Sequence, residues 1–319
     1  MLVQMLSRNG SLTSKALRHC PCHSKHQIVS QAMLAVRRYS DQRAVSLSYD
    51  VHEPKQSTAS GSHPILFLHG LYGSRKNWES LGKRMAFELS RTIVTIDARN
   101  HGQSSHSSTM SYEAMANDVL TLMELDLMID RCDLVGHSMG GRTAMALAMS
   151  HPEALNKLVV VDVSHIPVKL SDDVTQAADY VQIMRDAKLD NSVSLSQTKR
   201  DLGTQLQTAI PNVGVRNFLL TNLVQEEGRL RWRVNLDALE ANMEHLRRLH
   251  LPPGASFTGD TLFVGGANST YLRPEDYPEI KTFFPNASFA SIEGAGHWVH
   301  SEKPAEFLNA ILPFLRDSS

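Results

Sequence analysis

Cysteine is scarce in this sequence, and long hydrophobic runs are absent from it. The 319 residues include three cysteines, of which Cys20 and Cys22 lie near the beginning and Cys132 stands alone in the rest. A framework of structural disulfides is therefore excluded, which indicates a reducing or redox-neutral environment. No apolar run reaches the roughly 18 residues that a membrane-spanning helix needs, so we expect no transmembrane segment.

Acidic residues are missing from the first 40 positions. This stretch holds six basic side chains and six serines, a composition typical of mitochondrial transit peptides. Residues 37–40, Arg-Arg-Tyr-Ser, resemble a matrix-protease site with cleavage after Tyr39. We therefore predict a transit peptide at 1–39, a single domain at 40–319 and a location in the mitochondrial matrix. A disordered basic tail that binds an anionic partner is the alternative.

Without residues 1–39, acidic side chains outnumber basic ones. The remaining chain holds 26 basic and 33 acidic side chains, a formal net charge of −7. An acidic surface of this kind argues against binding to nucleic acids. The hydrophobic fraction of 42% provides an ample core for one large α/β domain or two small ones.

A Gly-x-Ser-x-Gly motif at residues 136–140 is the most informative stretch. A buried-strand pattern at 132–135 precedes it, and a helix-forming run at 142–149 follows it. A serine on a tight strand-to-helix turn is typical of an exposed nucleophile, and glycines flank it because strand and helix come close there. The positive end of the helix suits a developing oxyanion. A chance match is the alternative, and the surrounding strand and helix argue against it for Ser138.

Strands and helices alternate along most of the chain from about residue 45. An alternating pattern at 45–51 predicts a strand near a sheet edge, and largely apolar runs predict further strands. These runs lie at 64–68, 92–96, 132–135, 157–163, 261–264 and 287–292. Helices are predicted between them at 77–89, 111–127, 142–149, 274–284 and 304–315. This order indicates an α/β fold with a mostly parallel central sheet flanked by helices.

The alternation stops between residue 164 and about residue 251. The sequence there predicts helices but no strand long enough for the central sheet. The helices are predicted at 174–187, 196–209, 215–224 and 236–249. Helices inserted at the carboxyl end of a parallel sheet usually cover the site, so we interpret the region as a helical lid. A second helical domain with a partner of its own is the alternative.

A candidate general base follows the last predicted strand. His297 lies in a glycine-rich loop that reaches the same edge of the sheet as Ser138. Its expected role is to accept the proton of Ser138 and then to donate it to the leaving group. Trp298 beside it is expected to pack against the protein rather than to contact a substrate.

Backbone N–H groups are expected to form an oxyanion hole next to Ser138. One belongs to Met139, the residue after the nucleophile, and the other to Leu71 in the loop after the first buried strand. Neighbouring residues are expected to hold their own loops by hydrogen bonds rather than to react: His69, Asp97, Arg99 and Gly102.

Together these motifs resemble the α/β-hydrolase superfamily over residues 45–316. The motifs are His-Gly at 69–70, Asp-x-Arg-x-x-Gly-x-Ser at 97–104, Gly-His-Ser-Met-Gly-Gly at 136–141 and Gly-Ala-Gly-His at 294–297. Three further stretches resemble a branch of mitochondrial and small bacterial esterases: 218–223, 232–236 and 296–300. The resemblance implies a serine esterase or lipase that acts on acyl esters, among them acylglycerols, with no metal and no organic cofactor.

The sequence departs from the superfamily pattern at the acid. Many members place it in a Gly-x-x-Asp stretch after the penultimate strand, and here residues 266–269 read Gly-Ala-Asn-Ser. Asp162, at the end of the strand after the nucleophile helix, is the first choice because a strand fixes its position. Asp237, in the last part of the lid, is the second choice, since a lid can deliver a carboxylate when it closes.

Hydrolysis of an acyl ester through an acyl-serine is the function that this set of residues favours. Epoxide hydrolases and haloalkane dehalogenases of the fold use an aspartate nucleophile, so Ser138 argues against both. A serine-dependent thioesterase or a carbon–carbon hydrolase is the alternative within catalysis. A non-catalytic binding protein on the same fold is the alternative outside it, and the presence of both Ser138 and His297 argues against that one.

Overall fold

A seven-stranded sheet forms the centre of the structure, a computed structural model that describes residues 43–54, 62–167 and 174–316, without the side chains of 174–178. Its strands are β1 (Tyr49–His52), β2 (Ile65–Leu68), β3 (Ile93–Ile96), β4 (Cys132–His137), β5 (Leu155–Val161), β8 (Asp260–Gly266) and β9 (Ala287–Ile292). They lie in the order β1-β3-β2-β4-β5-β8-β9. β1 is antiparallel to β3, and the other pairs are parallel. The predicted transit peptide at 1–39 lies outside the described residues.

Helices connect the strands and cover both faces of the sheet. Outside the lid they are α1 (Glu79–Leu89), α2 (Tyr112–Thr121), α3 (Met139–Ser150), α8 (Tyr277–Phe283) and α9 (Pro304–Leu315). Short turns accompany them at Arg75–Trp78, Leu122–Asp126, Pro152–Ala154, Pro274–Asp276 and Val299–Glu302. None of the helices in the described ranges is both long enough and apolar enough to cross a membrane.

The apolar runs of the sequence became strands because both faces of the sheet are covered. In β2, Leu66 and Leu68 join one buried cluster, whereas Ile65 and Phe67 join the other. Successive strand residues point to opposite faces, so a strand buried on both sides is apolar at most positions. The predicted parallel sheet is thereby confirmed, and β1 lies at its edge as expected.

The parallel register brings the ends of the central strands to one edge. Leu68 pairs with Gly136, His137 with Val161, and Val161 with Val264. The loop that begins at His69 and the residues Ser138 and Asp162 therefore leave neighbouring strands at the same level. Ligand sites of open α/β sheets lie at this carboxyl edge.

The lid is an insertion between β5 and β8, two strands that pair directly with each other. Its described elements are α4 (Val174–Asp186), α5 (Leu195–Gln205), α6 (Val213–Leu220), β6 (Leu223–Glu226), β7 (Arg229–Trp232) and α7 (Leu236–Leu246). The predicted helical lid is present, but one of its expected helices is shorter than predicted. The helix expected at 215–224 ends at Leu220, and an antiparallel hairpin of β6 and β7 follows it.

Candidate active site

Ser138 lies on a strained turn between β4 and α3. Its backbone angles are φ 53° and ψ −116°, which a non-glycine residue rarely adopts. A Cβ atom added to Gly136 would lie 2.3 Å from the carbonyl oxygen of Gly140, and one added to Gly140 would lie 2.6 Å from that of Leu68. The two glycines are therefore required by the close approach of strand and helix, as the motif predicted.

Three side chains from three different loops form one hydrogen-bonded chain. His297, in the loop after β9, lies with Nε2 3.1 Å from Oγ of Ser138. Its Nδ1 lies 2.7 Å from Oδ2 of Asp162, the residue that follows β5. The Asp162 side chain is fully buried. The structure thus brings the predicted nucleophile, base and first-choice acid into direct contact.

Residues 266–269, the stretch in which many superfamily members place the catalytic acid, bind the carboxylate of Asp162 by hydrogen bonds. Oδ1 accepts a hydrogen bond from the backbone N–H of Gly266 at 3.0 Å, and Oδ2 accepts one from Oγ of Ser269. Asp162 itself has φ 51°, so its backbone turns sharply as it leaves β5. Ser269 was not identified from the sequence, although its place in the Gly-x-x-Asp position was a usable signal.

Asp237, the second-choice acid, lies on the outside of the lid. It is in the first turn of α7, its side chain is 93% exposed, and it pairs with Arg185 at 2.8 Å. Its hydrogen bonds within the described part of the chain do not include one to His297, whose Nδ1 is already bound to Asp162. The structure therefore does not bring Asp237 into the site.

The two residues predicted to supply the oxyanion hole lie beside the nucleophile. Leu71 and Met139 line the same cavity as Ser138, and the N–H group of Leu71 donates to no backbone carbonyl among the described residues. A Cβ atom on Gly70 would lie 2.8 Å from Nδ1 of His137 and 3.3 Å from Cβ of Ser138. Only glycine allows the loop of Leu71 to come this close to the serine.

Buried polar side chains hold the loop that carries Leu71. His69 accepts a hydrogen bond from the N–H of Ala98 at Nε2 and donates from Nδ1 to the carbonyl of Gly70. His101 accepts one from the N–H of Tyr72, and Asn222 of the lid donates to the carbonyl of Tyr72 at 2.8 Å. The bracing role predicted for His69 is confirmed, whereas His101 and Asn222 were not foreseen.

The loop at 97–104 is held partly by its own residues, as predicted. The Asp97 carboxylate accepts hydrogen bonds from the N–H groups of Arg75 and Gln103. Gly102 has φ 55°, and a Cβ atom there would collide with Asp97. Arg99 departs from the prediction, because its guanidinium leaves the loop and forms a buried ion pair with Asp118 of α2 at 2.6 Å.

The rings of Tyr271 and His137 are among those that pack against His297. Tyr271 stacks on it with ring centroids 3.9 Å apart. His137 has Nε2 2.9 Å from the carbonyl oxygen of His297, and its ring also contacts that of His300. Burial lowers the pKa of His137 well below its usual value and that of His300 to about 3. Both rings are therefore neutral, and the His137 ring can donate from Nε2 to steady the His297 loop.

The buried histidines predict acid-sensitive stability. Burial also lowers the pKa of His101 to about 3, while the unfolded chain titrates near its ordinary 6.5. Between these values the unfolded state binds the extra proton, so stability falls as the pH falls. For His101 and His300 we expect the free energy of unfolding to drop by about 1.4 kcal/mol each per pH unit below pH ~6.5. Urea denaturation between pH 8 and pH 5 measures this.

A matched pair of variants isolates one of these protons. In His300→Gln the free energy of unfolding should fall less steeply as the pH is lowered, because one group that takes up a proton on unfolding has been removed. The difference in slope should be about 1.4 kcal/mol per pH unit. In His250→Gln, which changes an exposed histidine, the free energy of unfolding should keep the wild-type slope. Equal slopes in the two variants would contradict a neutral, buried His300.

The site opens into a cavity of about 570 Å³ between the sheet edge and the lid. Its lid side is largely apolar, with Ile183, Val215, Phe218, Leu219, Met243 and Leu246. Trp298 also lines it, and its ring centroid lies 6.1 Å from that of Phe218. That Trp298 packs against the protein rather than contacts a substrate stays a prediction.

Comparison with known proteins identifies the family. Residues 63–304 match the family described as alpha/beta hydrolase fold. The chain belongs to the α/β-hydrolase family. It is 40% identical over 273 residues to the sn-1-specific diacylglycerol lipase ABHD11 of Danio rerio, covering 85% of this chain and 83% of that protein. It is 32% identical over 268 residues to esterase YbfF of Escherichia coli, covering 82% of this chain and 98% of that protein.

A solved structure of the family resembles this one closely. A marine microorganism esterase has a TM-score of 0.77 and 31% sequence identity, and the match covers 85% of this chain and all of that one. The resemblance implied in the sequence analysis is therefore confirmed at the level of the superfamily and of the esterase branch.

Proposed function

We propose that this protein is a carboxylic ester hydrolase that works through an acyl-serine intermediate. The observation that carries the proposal is the hydrogen-bonded chain from Asp162 through His297 to Ser138, which ends at the floor of the cavity. This is the arrangement that activates a serine hydroxyl, because the histidine accepts its proton and the carboxylate fixes the tautomer of the ring. The names of the esterase and lipase relatives support the same activity.

In the first half-reaction, Oγ of Ser138 attacks the carbonyl carbon of the ester and its proton passes to Nε2 of His297. The negative charge moves to the carbonyl oxygen, where the N–H groups of Leu71 and Met139 bind it. The bond to the alcohol then breaks, and His297 returns the proton to the leaving oxygen. Water repeats the sequence on the acyl-serine, which releases the acid and restores Ser138.

The substrates proposed are lipid-like esters such as acylglycerols. The apolar lid side of the cavity suits an acyl chain, because burial of methylene groups is favourable at roughly 0.8 kcal/mol each. The relatives named diacylglycerol lipase support this choice. No metal and no organic cofactor has a part in the proposed chemistry, since the proton transfers and the oxyanion are served by the groups described above.

Labelling with a fluorophosphonate tests the nucleophile, and an ester series tests the substrate. We expect wild-type protein to react rapidly at Ser138, and to hydrolyse p-nitrophenyl esters with a preference for medium or long acyl chains over acetate. Rapid labelling with hydrolysis of acyl-thioesters but not of oxygen esters would favour the thioesterase alternative. Absence of labelling would favour a binding protein without turnover.

We further propose that the mature protein begins at Ser40 and resides in the mitochondrial matrix. The acid-free, basic and serine-rich composition of residues 1–39 supports this. N-terminal sequencing of the protein isolated from its organelle should read Ser40-Asp41-Gln42. A protein that retains Met1, or that is found outside mitochondria, would contradict the proposal.

A further inference from the structure

Arg142 is a buried cation four residues after the nucleophile in α3. Its residue is only 5% exposed, and it lines the cavity together with Ser138. Its guanidinium has no carboxylate within 4.0 Å in the described part of the chain. The proposed reaction makes no use of this side chain.

One side of the guanidinium binds the first residues of the lid. Nε–H donates to the carbonyl of Ser164 at 3.0 Å, and an Nη2–H donates to that of Ile166 at 3.3 Å. These carbonyls follow Asp162 by two and four residues. The chain that leaves the proposed catalytic acid is therefore bound to the nucleophile helix.

The other side of the guanidinium binds the last residues of the lid. Nη1 donates to the carbonyl of Leu246 at 3.1 Å and to that of Arg247 at 2.6 Å. These carbonyls lie at the carboxyl end of α7, where a positive charge is favoured by the helix dipole. Tyr112 of α2 donates a further hydrogen bond to the carbonyl of Leu246 at 2.6 Å.

Both ends of the lid are thus attached to a single side chain. The planar fork of arginine can reach carbonyls on two sides at once, which the compact ammonium of lysine cannot do. The residues that these bonds hold are also cavity wall: Val163 beside the first end, and Met243 and Leu246 beside the last. A shift of either end relative to α3 would change the room above Ser138.

We propose that Arg142 is a specificity-determining residue. It fixes the distance between the lid and Ser138, and this distance sets the acyl-chain length that the cavity accepts. The inference rests on the proposed ester hydrolysis. Without the guanidinium, the carbonyls of Ser164, Ile166 and Arg247 lose this donor and that of Leu246 keeps only Tyr112. The ends of the lid are then less firmly attached to α3. Long chains, which depend on contact with the lid, are then affected far more than acetate.

The test is an ester series on two variants and a control. For Arg142→Met we expect the ratio of kcat/KM on p-nitrophenyl octanoate to that on the acetate to fall by at least roughly tenfold, the effect of losing one or two methylene contacts. Arg142→Lys should show a smaller fall in the same direction. The control Arg229→Met, which removes an exposed arginine of the lid hairpin, should keep the wild-type ratio.

Different failures have different signatures. If the rates on both esters fall by the same factor, Arg142 acts on stability alone and the inference is wrong; an unchanged ratio in Arg142→Lys and Arg142→Met also refutes it. If Arg142→Met does not fold, the ratio in Arg142→Lys decides. If wild-type protein neither labels with fluorophosphonate nor cleaves any ester, the proposed function itself fails.

Discussion

Replacement of Ser138 by alanine is expected to abolish ester hydrolysis without unfolding the protein. Loss of the nucleophile in a triad typically lowers kcat by roughly 10⁶-fold. The change removes a single oxygen atom from the floor of the cavity, and its partner His297 remains bound to Asp162. Hydrolysis of p-nitrophenyl esters and fluorophosphonate labelling measure the loss, and thermal unfolding measures the fold.

Ser150→Ala is the matched control for this experiment. Ser150 is the last residue of the same helix and is exposed. Its hydroxyl bonds only locally, to the carbonyls of Ala146 and Leu147 and to Nδ1 of His151. The control should label and hydrolyse at the wild-type rate. Appreciable turnover by well-folded Ser138→Ala protein would rule out Ser138 as the nucleophile.

Asp162→Asn is expected to lower kcat by roughly 10⁴-fold. The carboxylate accepts the Nδ1–H of His297 and so leaves Nε2 free to take the proton of Ser138. An asparagine can present its NH₂ group to Nδ1 instead, which stabilises the wrong tautomer. Gly266 and Ser269 would still hold the side chain in place, so the defect should be in turnover rather than in folding.

Asp237→Asn serves as the comparison, since both aspartates were candidates. The Asp237 side chain is almost fully exposed and pairs with Arg185 on the surface of the lid, so near wild-type kcat is expected. Kinetics should be compared at matched thermal stability. If Asp162→Asn kept near wild-type turnover and Asp237→Asn lost several orders of magnitude, the lid would complete the triad in a closed state.

The central sheet could be predicted because burial on both faces leaves little freedom of composition. Runs such as Ile65–Leu68 and residues 158–161 are apolar at every position, so they stand out in the sequence. The position of Asp162 followed from the same rule, as the first polar residue after a buried strand at the carboxyl edge. Local pattern and tertiary environment agree at these places.

The lid hairpin escaped prediction because its local signals are weak. Each strand has four residues, and the turn between them is Glu227-Gly228, with φ values of 50° and 77°. Positive φ at both central residues is the type I′ geometry, for which Asn-Gly or Asp-Gly is the usual signal. Because residue 227 is a glutamate rather than an asparagine or aspartate, the sequence lacks the usual signal for this turn.

Several residues of the site act through contacts that only the folded chain creates. Ser269 meets Asp162 across 107 positions of sequence, and Asn222 meets Tyr72 across 150. The stacking of Tyr271 on His297 likewise depends on how two loops meet. Contacts between residues so far apart in sequence leave no local pattern, so a single sequence does not predict them.

The attachment of both lid ends to Arg142 also bears on how such enzymes diversify. A segment whose two ends meet at one point can be exchanged for another without moving the strands on either side, as insertions between adjacent surface positions generally can. Here β5 and β8 pair directly, so recombination between Ile166 and Leu246 would leave the sheet and the proposed catalytic residues in register. A replacement lid would have to supply a donor for the carbonyl of Tyr72, as Asn222 does here, to keep the loop of Leu71 in place. With that bond restored, new substrate ranges could evolve by exchange of the lid alone.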